Sequence, residues 1–278
     1  MTAAKALLLG LIQGIAEFLP ISSSGHLELS KNLLGLNEVP VLFDVILHLA
    51  TLLVVLIVFW KRIVSIVEAL WSFLFSKKET SAKGVSKTKK KKDEAHAESL
   101  AFVVPILIAT AITAVLGYAI QKFVPMGGTK AVAARMLITA VILGFTAIAK
   151  PGTRGPALIN PGRAALIGLA QGIGVFSGIS RSGITISTGI FAGLDRGTAG
   201  EFSFLLSIPA ILGAFILTIK DAGTLMGTVS FAQLALAFLA AFLSGLAALK
   251  ILMKIVKNGK MFWFAPYLLV VGLLGLIL

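Results

Sequence analysis

Long uninterrupted apolar runs dominate the chain, at about 41–60, 100–121, 131–149, 202–220, 230–250 and 262–278. A hydrocarbon core of ~30 Å takes about 20 helical residues to cross. Strands of a membrane barrel would alternate apolar and polar positions, and these runs do not, so helices that satisfy their own backbone groups are predicted. Residues 64–76 are apolar but short, and are expected to extend the preceding helix or to lie at the interface. Two further segments, 3–36 and 163–196, are apolar yet broken at Gly/Ser-rich centres. Their flanking halves are too short to cross separately, so each predicts a re-entrant helical hairpin. The fold class expected is an all-α polytopic membrane protein with six transmembrane helices plus two re-entrant hairpins.

The broken segments repeat each other. Residues 13–26 read QGIAEFLPISSSGH and residues 171–184 read QGIGVFSGISRSGI, identical at eight of fourteen positions without a gap. A fainter echo follows, FDVILHLA at 43–50 against FSFLLSIP at 202–209. Basic residues orient the spans. Lys61, Arg62 and the lysine-rich segment fall on one side of the bilayer. With six spans, Lys150, Arg154 and Arg163 return to that side, as do Lys250, Lys254, Lys257 and Lys260. That side is therefore cytoplasmic. Each hairpin is followed by an odd number of spans, so residues 1–160 and 161–278 are expected to form an inverted-topology repeat with its site near the midplane.

Composition agrees with the pattern: of 278 residues, 57% are hydrophobic and 13% charged, with mean hydropathy +0.98. No cleavable signal is expected at the start, where polar residues interrupt the apolar stretch beyond Lys5. Cysteine is absent, which excludes disulfides and thiolate chemistry. The net charge of +13 does not point to nucleic acid. Eight lysines lie within residues 77–92 without interleaved aromatics, so 77–98 is expected to be a solvated cytoplasmic loop that meets anionic headgroups.

The chemistry concentrates in the repeated turns. Gly/Ser turns and helix N-termini present backbone N–H groups to an anion. Arg181 adds a forked, permanently charged donor suited to phosphate oxygens. Ser22, Ser23, Ser24, Ser180, Ser182 and Thr185 supply hydroxyls. Glu17 and His26 are groups able to move protons, and an ionisable side chain within a membrane segment is a functional candidate. Such a set fits phosphoryl transfer. Gln13, Gly25 and Gln171 belong to the same repeated turns as candidate substrate-binding positions, the glutamines also serving as cross-braces. Asp44 and His48, four residues apart on one helical face, either line the site or form a structural pair, and Glu28 is expected to face headgroup water.

These motifs, with FDVILHLATLLVVLIVFWKR after the first and EFSFLLSIPA after the second, resemble the undecaprenyl-diphosphate phosphatase family of the bacitracin-resistance type over essentially the whole chain. The resemblance implies hydrolysis of undecaprenyl diphosphate to the monophosphate carrier and inorganic phosphate, which recycles the lipid for cell-wall synthesis. It implies a plasma-membrane location, a polyprenyl diphosphate as substrate, and help from a divalent cation, Mg²⁺ or Ca²⁺. Glu17, Ser23, His26 and Arg181 map onto catalytic positions, with Glu17 also the candidate metal ligand. Ser23 is the favoured nucleophile, and His26 or water are the alternatives. The expected partners are the lipid and the bilayer, with a homodimer as an optional assembly and no nucleic acid. The chain departs from the family pattern at two places. Gln13 stands where Glu is also allowed, leaving Glu17 as the lone carboxylate of the first motif, and Ser177-Gly178 stands where Pro-Gly is common. The rival reading is a transporter or flippase of anionic polyprenyl lipid or phosphate, because inverted repeats with broken helices serve alternating access.

Overall fold

The computed structural model describes residues 1–36, 39–75, 87–150 and 152–277. Among them the chain is helical and carries no strand beyond an isolated bridge between Arg154 and Leu194. The first hairpin is α1 (Ala3–Phe18) and α2 (Ser23–Leu33), and the second is α7 (Pro161–Ile173) and α8 (Arg181–Phe191). After the first come α3 (Val41–Val58), α4 (Trp60–Phe75), α5 (Lys87–Phe123) and α6 (Thr129–Phe145). After the second come α9 (Arg196–Thr218), α10 (Ala222–Thr228), α11 (Phe231–Lys257) and α12 (Phe264–Ile277).

Among the described residues four helical stretches are long and apolar enough to cross a membrane: Val41–Val58, Ala97–Phe123, Arg196–Thr218 and Phe231–Lys257. The other two expected spans are shorter, since α6 has 17 residues and the last apolar helix runs Met261–Ile277. Residues 60–75 form a helix of their own after a break at Phe59. The expected basic loop 77–98 is corrected in part. Residues 76–86 lie outside the described residues, but from Lys87 onward the backbone is already α5. Lysine, glutamate and alanine are good helix formers, so this charged stretch prolongs the apolar helix behind it.

The two halves interlock. Helix α1 packs on α11 of the other half, and α7 packs on α5 of the first. α3 meets α9, and α6 meets α12. Small residues set these contacts. The sequence repeat reaches back to GLIQGI at 10–15 and GLAQGI at 168–173, so each first hairpin helix carries a Gly-xxx-Gly pair. A side chain at Gly14 would meet Ser244 Oγ and the carbonyl of Ala241 on α11, and one at Gly168 would lie 2.7 Å from the Ala109 carbonyl on α5. Close approach at these glycines brings both hairpin turns into the interior, where Phe18, Phe202 and Phe204 are buried.

Candidate active site

The two turns deliver equivalent positions to one point. Ser22 caps α2 by accepting from Gly25 N–H at 3.2 Å, and Ser180 caps α8 by accepting from Gly183 N–H at 3.1 Å. Ser23 and Arg181 are therefore the first residues of their helices, where N–H groups lack intrahelical partners. Ser22 is held at φ 70°, a conformation disfavoured for a residue with a side chain, and its carbonyl accepts from His26 N–H at 3.1 Å. Behind the second turn, Gly178 at φ 97° packs on the Val132 carbonyl, and Thr139 accepts from Ser180 N–H at 3.1 Å.

Glu17 is the hub. Its side chain is only 6% exposed, and that of Arg181 18%. The Arg181 Nη2 donates to Glu17 Oε1. On Oε2 converge Ser23 Oγ at 2.6 Å, Gln13 Nε2 at 3.2 Å and His48 Nε2 at 3.3 Å. A second Arg181 nitrogen, Nη1, is buried without a hydrogen-bond partner. Glu17, Ser23, His48 and Arg181 border a cavity of about 340 Å³. Its lining combines polar residues, among them Ser22, Ser24, Ser180, Gln171 and Asp44, with apolar ones such as Val41, Val45, Val175, Ile179, Ile211 and Ala214. A pocket so lined suits a ligand with an anionic head and a hydrocarbon tail.

Residues 6–274 match the family described as bacitracin resistance protein BacA. The chain belongs to that family. Relatives named undecaprenyl-diphosphatase include one from Treponema denticola, 44% identical over 275 residues, covering 98% of this chain and 96% of the relative. Another from Desulforapulum autotrophicum is 38% identical over 278 residues, covering 98% and 97%. A third from Desulfosudis oleivorans is 39% identical over 278 residues, with the same coverage.

The structure of this BacA family member gathers some of the sequence-predicted residues and separates others. Glu17, Ser23 and Arg181 meet as described, and Ser22, Ser24, Gln171 and Ser180 line the cavity. Gln13 sits behind Glu17, and Gly25 packs against Gly178 and Met136. Ser182 donates to the Phe18 carbonyl at 3.2 Å, tying one hairpin to the other. Thr185 donates to the Arg181 carbonyl at 2.7 Å and meets Ser203 at 2.5 Å. Both are braces away from the cavity. His26, expected beside Ser23 and Glu17, turns elsewhere: its Nδ1 bonds the Ser22 carbonyl at 2.9 Å and its Nε2 the Tyr267 hydroxyl at 2.8 Å. Its ring stacks on Tyr267, with centroids 5.7 Å apart. The cavity lining that includes Ser23 does not include His26.

The imidazole at the hub is that of His48. Its Nδ1 donates to the Asp44 carbonyl at 2.7 Å, while the Asp44 carboxylate pairs with Lys31 at 2.7 Å. Asp44 and His48 are thus not side-chain partners, and both line the site. The only sequence signal for them is their helical spacing within the faint echo of the repeat. Glu28, expected in headgroup water, instead accepts from Ser177 at 2.8 Å. That bond fastens the turn at Ser177-Gly178.

The donor set does not fit a divalent cation held by the protein. Arg181 occupies one Glu17 oxygen, three groups crowd the other, and the adjacent guanidinium repels a cation. Asp44 is committed to Lys31. Among the described residues no three His, Cys, Asp or Glu side chains cluster as a metal site, so Mg²⁺ or Ca²⁺, which take six or more oxygens, would draw most of them from water and substrate phosphates. The chemistry below rests on the protein's own groups.

Proposed function

We propose that this chain is an integral-membrane phosphatase that hydrolyses undecaprenyl diphosphate to undecaprenyl phosphate and inorganic phosphate. Such an activity recycles the lipid carrier for cell-wall synthesis and would confer bacitracin resistance. One observation carries the reading: Ser23 Oγ lies 2.6 Å from Glu17 Oε2, beside a guanidinium whose buried Nη1 has no partner. A terminal phosphate placed there takes the free edge of Arg181 and the first-turn N–H groups of α2 and α8. The polyprenyl chain lies along the apolar part of the lining.

In the reaction, Ser23 Oγ forms a bond to the terminal phosphorus as its proton passes to Glu17. The bond to the bridging oxygen breaks, and its electron pair leaves with the prenyl monophosphate. Water then attacks the phosphoserine, with Glu17 as the proton station, and phosphate is released. Arg181 offsets the charge on the transferring group.

The same reading includes a plasma-membrane protein with six spans and two re-entrant hairpins, residues 1–160 and 161–278 being inverted repeats. The exchange of partners between halves, α1 on α11 and α7 on α5, supports it. That exchange also favours a second reading, movement of the anionic lipid across the bilayer.

The test is phosphate release from a polyprenyl diphosphate by the purified full chain, repeated with Ser23→Ala, Glu17→Gln and Arg181→Ala. Activity in the wild type that collapses in all three variants is expected. No release by the wild type overturns the reading, and lipid movement in vesicles without hydrolysis favours the carrier.

A further inference from the structure

His48 is placed with more constraint than a packing residue needs. Its Nδ1 lies 2.7 Å from the Asp44 backbone carbonyl, which can only accept, so Nδ1 carries a hydrogen. Its Nε2 lies 3.3 Å from Glu17 Oε2. The Glu17 carboxylate, ion-paired with Arg181 through its other oxygen, also only accepts. A ring that faces acceptors at both nitrogens carries hydrogens on both. A bare lone pair aimed at the carboxylate oxygen would repel it.

The carboxylate needs such an anchor. The terminal torsion of glutamate is broad, so packing alone leaves its oxygens free to rotate. Gln13 approaches from α1 itself, four residues back, and Ser23 is the group to be activated. His48 comes from α3, and the Thr51 hydroxyl bonds its carbonyl at 2.9 Å, so it ties Oε2 to a separate membrane-length helix. The charged groups around it are Glu17 on α1, Glu28 and Lys31 on α2, Asp44 on α3 and, through Glu17, Arg181 on α8.

We propose that His48 is a positioning residue that acts through Glu17, donating from Nε2 to Oε2 and holding that oxygen toward the Ser23 hydroxyl. The proposal rests on the phosphatase reading above for its assay. His48→Leu fills the space without an N–H, whereas His48→Gln fills it and can donate. In the full-length purified protein, His48→Leu lowers kcat about 10- to 100-fold, the scale of a misplaced catalytic group, with KM within about twofold of wild type. His48→Gln recovers most of that kcat. Wild-type kcat in His48→Leu, a loss confined to KM, or a His48→Gln variant as slow as His48→Leu each overturns the proposal. Failure of both variants to fold also overturns it, because His48 would then be a packing element. A wild type that releases no phosphate is a different result, since it removes the phosphatase reading itself.

Discussion

Ser22 shows how one residue can hold the turn of the first hairpin. Its φ of 70° costs stability, while its hydroxyl caps α2 through Gly25 N–H. Glycine relieves the strain and loses only a few tenths of a kcal/mol of capping, whereas alanine keeps the strain and loses the cap. Ser22→Ala is therefore expected to lower stability by about 1–2 kcal/mol, and Ser22→Gly by less than half of that. Thermal unfolding in detergent ranks the two, and the reverse order would mean the turn is not strained. Arg181 makes the second case. Its fork serves Glu17 with one nitrogen and leaves another for the ligand. Arg181→Lys keeps the charge but not the fork, so kcat/KM for polyprenyl diphosphate is expected to fall about 10²-fold or more. A lysine variant near wild-type activity would show that charge alone suffices.

At the scale of elements, the hairpins sit where they do because glycine lets backbones touch. A Cβ at Gly14 would collide with α11, whereas one at Gly144, within α6, meets nothing within 4 Å. Gly14→Ala is expected to cost about 1–3 kcal/mol by overpacking. Gly144→Ala should gain about 0.5–1 kcal/mol of helix stability. Comparing the unfolding midpoints of these variants separates glycine that permits contact from glycine that merely loosens a helix. The broken segments were legible as hairpins because short apolar halves around a polar centre cannot span a bilayer. The start of α5 was not legible, because a lysine run fits both a solvated loop and the exposed end of a long helix. His26 was misplaced for a related reason: the motif sets it one helical turn from Ser23, but the Tyr267 of α12 that its ring turns to is 241 residues away in the chain.

At the scale of the molecule, the halves are clamped together at the end of α3 where α4 begins. Arg62 Nε donates to Glu201 of α9 at 2.6 Å, and its Nη2 to Glu98 of α5 at 2.9 Å. The guanidinium also lies 5.3 Å from the Phe102 ring centroid. Arg62→Ala leaves the half-buried Glu201 unpaired, and a loss of about 1–3 kcal/mol is expected, between the surface and buried limits for an ion pair. Unfolding that does not change in Arg62→Ala would show that the interlocked helices alone hold the halves together.

The sequence by itself determined the apolar helical class and the two repeated hairpins, and singled out Glu17, Ser23 and Arg181 as candidates that the structure brings together, because apolar run length, breaks and a polar repeat are local properties. It also placed Ser23 opposite Arg181, since the repeat makes them equivalent. Only the tertiary structure decided that His48 rather than His26 faces Glu17, and that Ser182 and Thr185 brace the hairpins. It likewise showed Glu17 engaged by Arg181, Ser23, Gln13 and His48 together. Those outcomes depend on which helix of one half crosses which turn of the other, and side-chain direction at such a crossing is set by long-range packing.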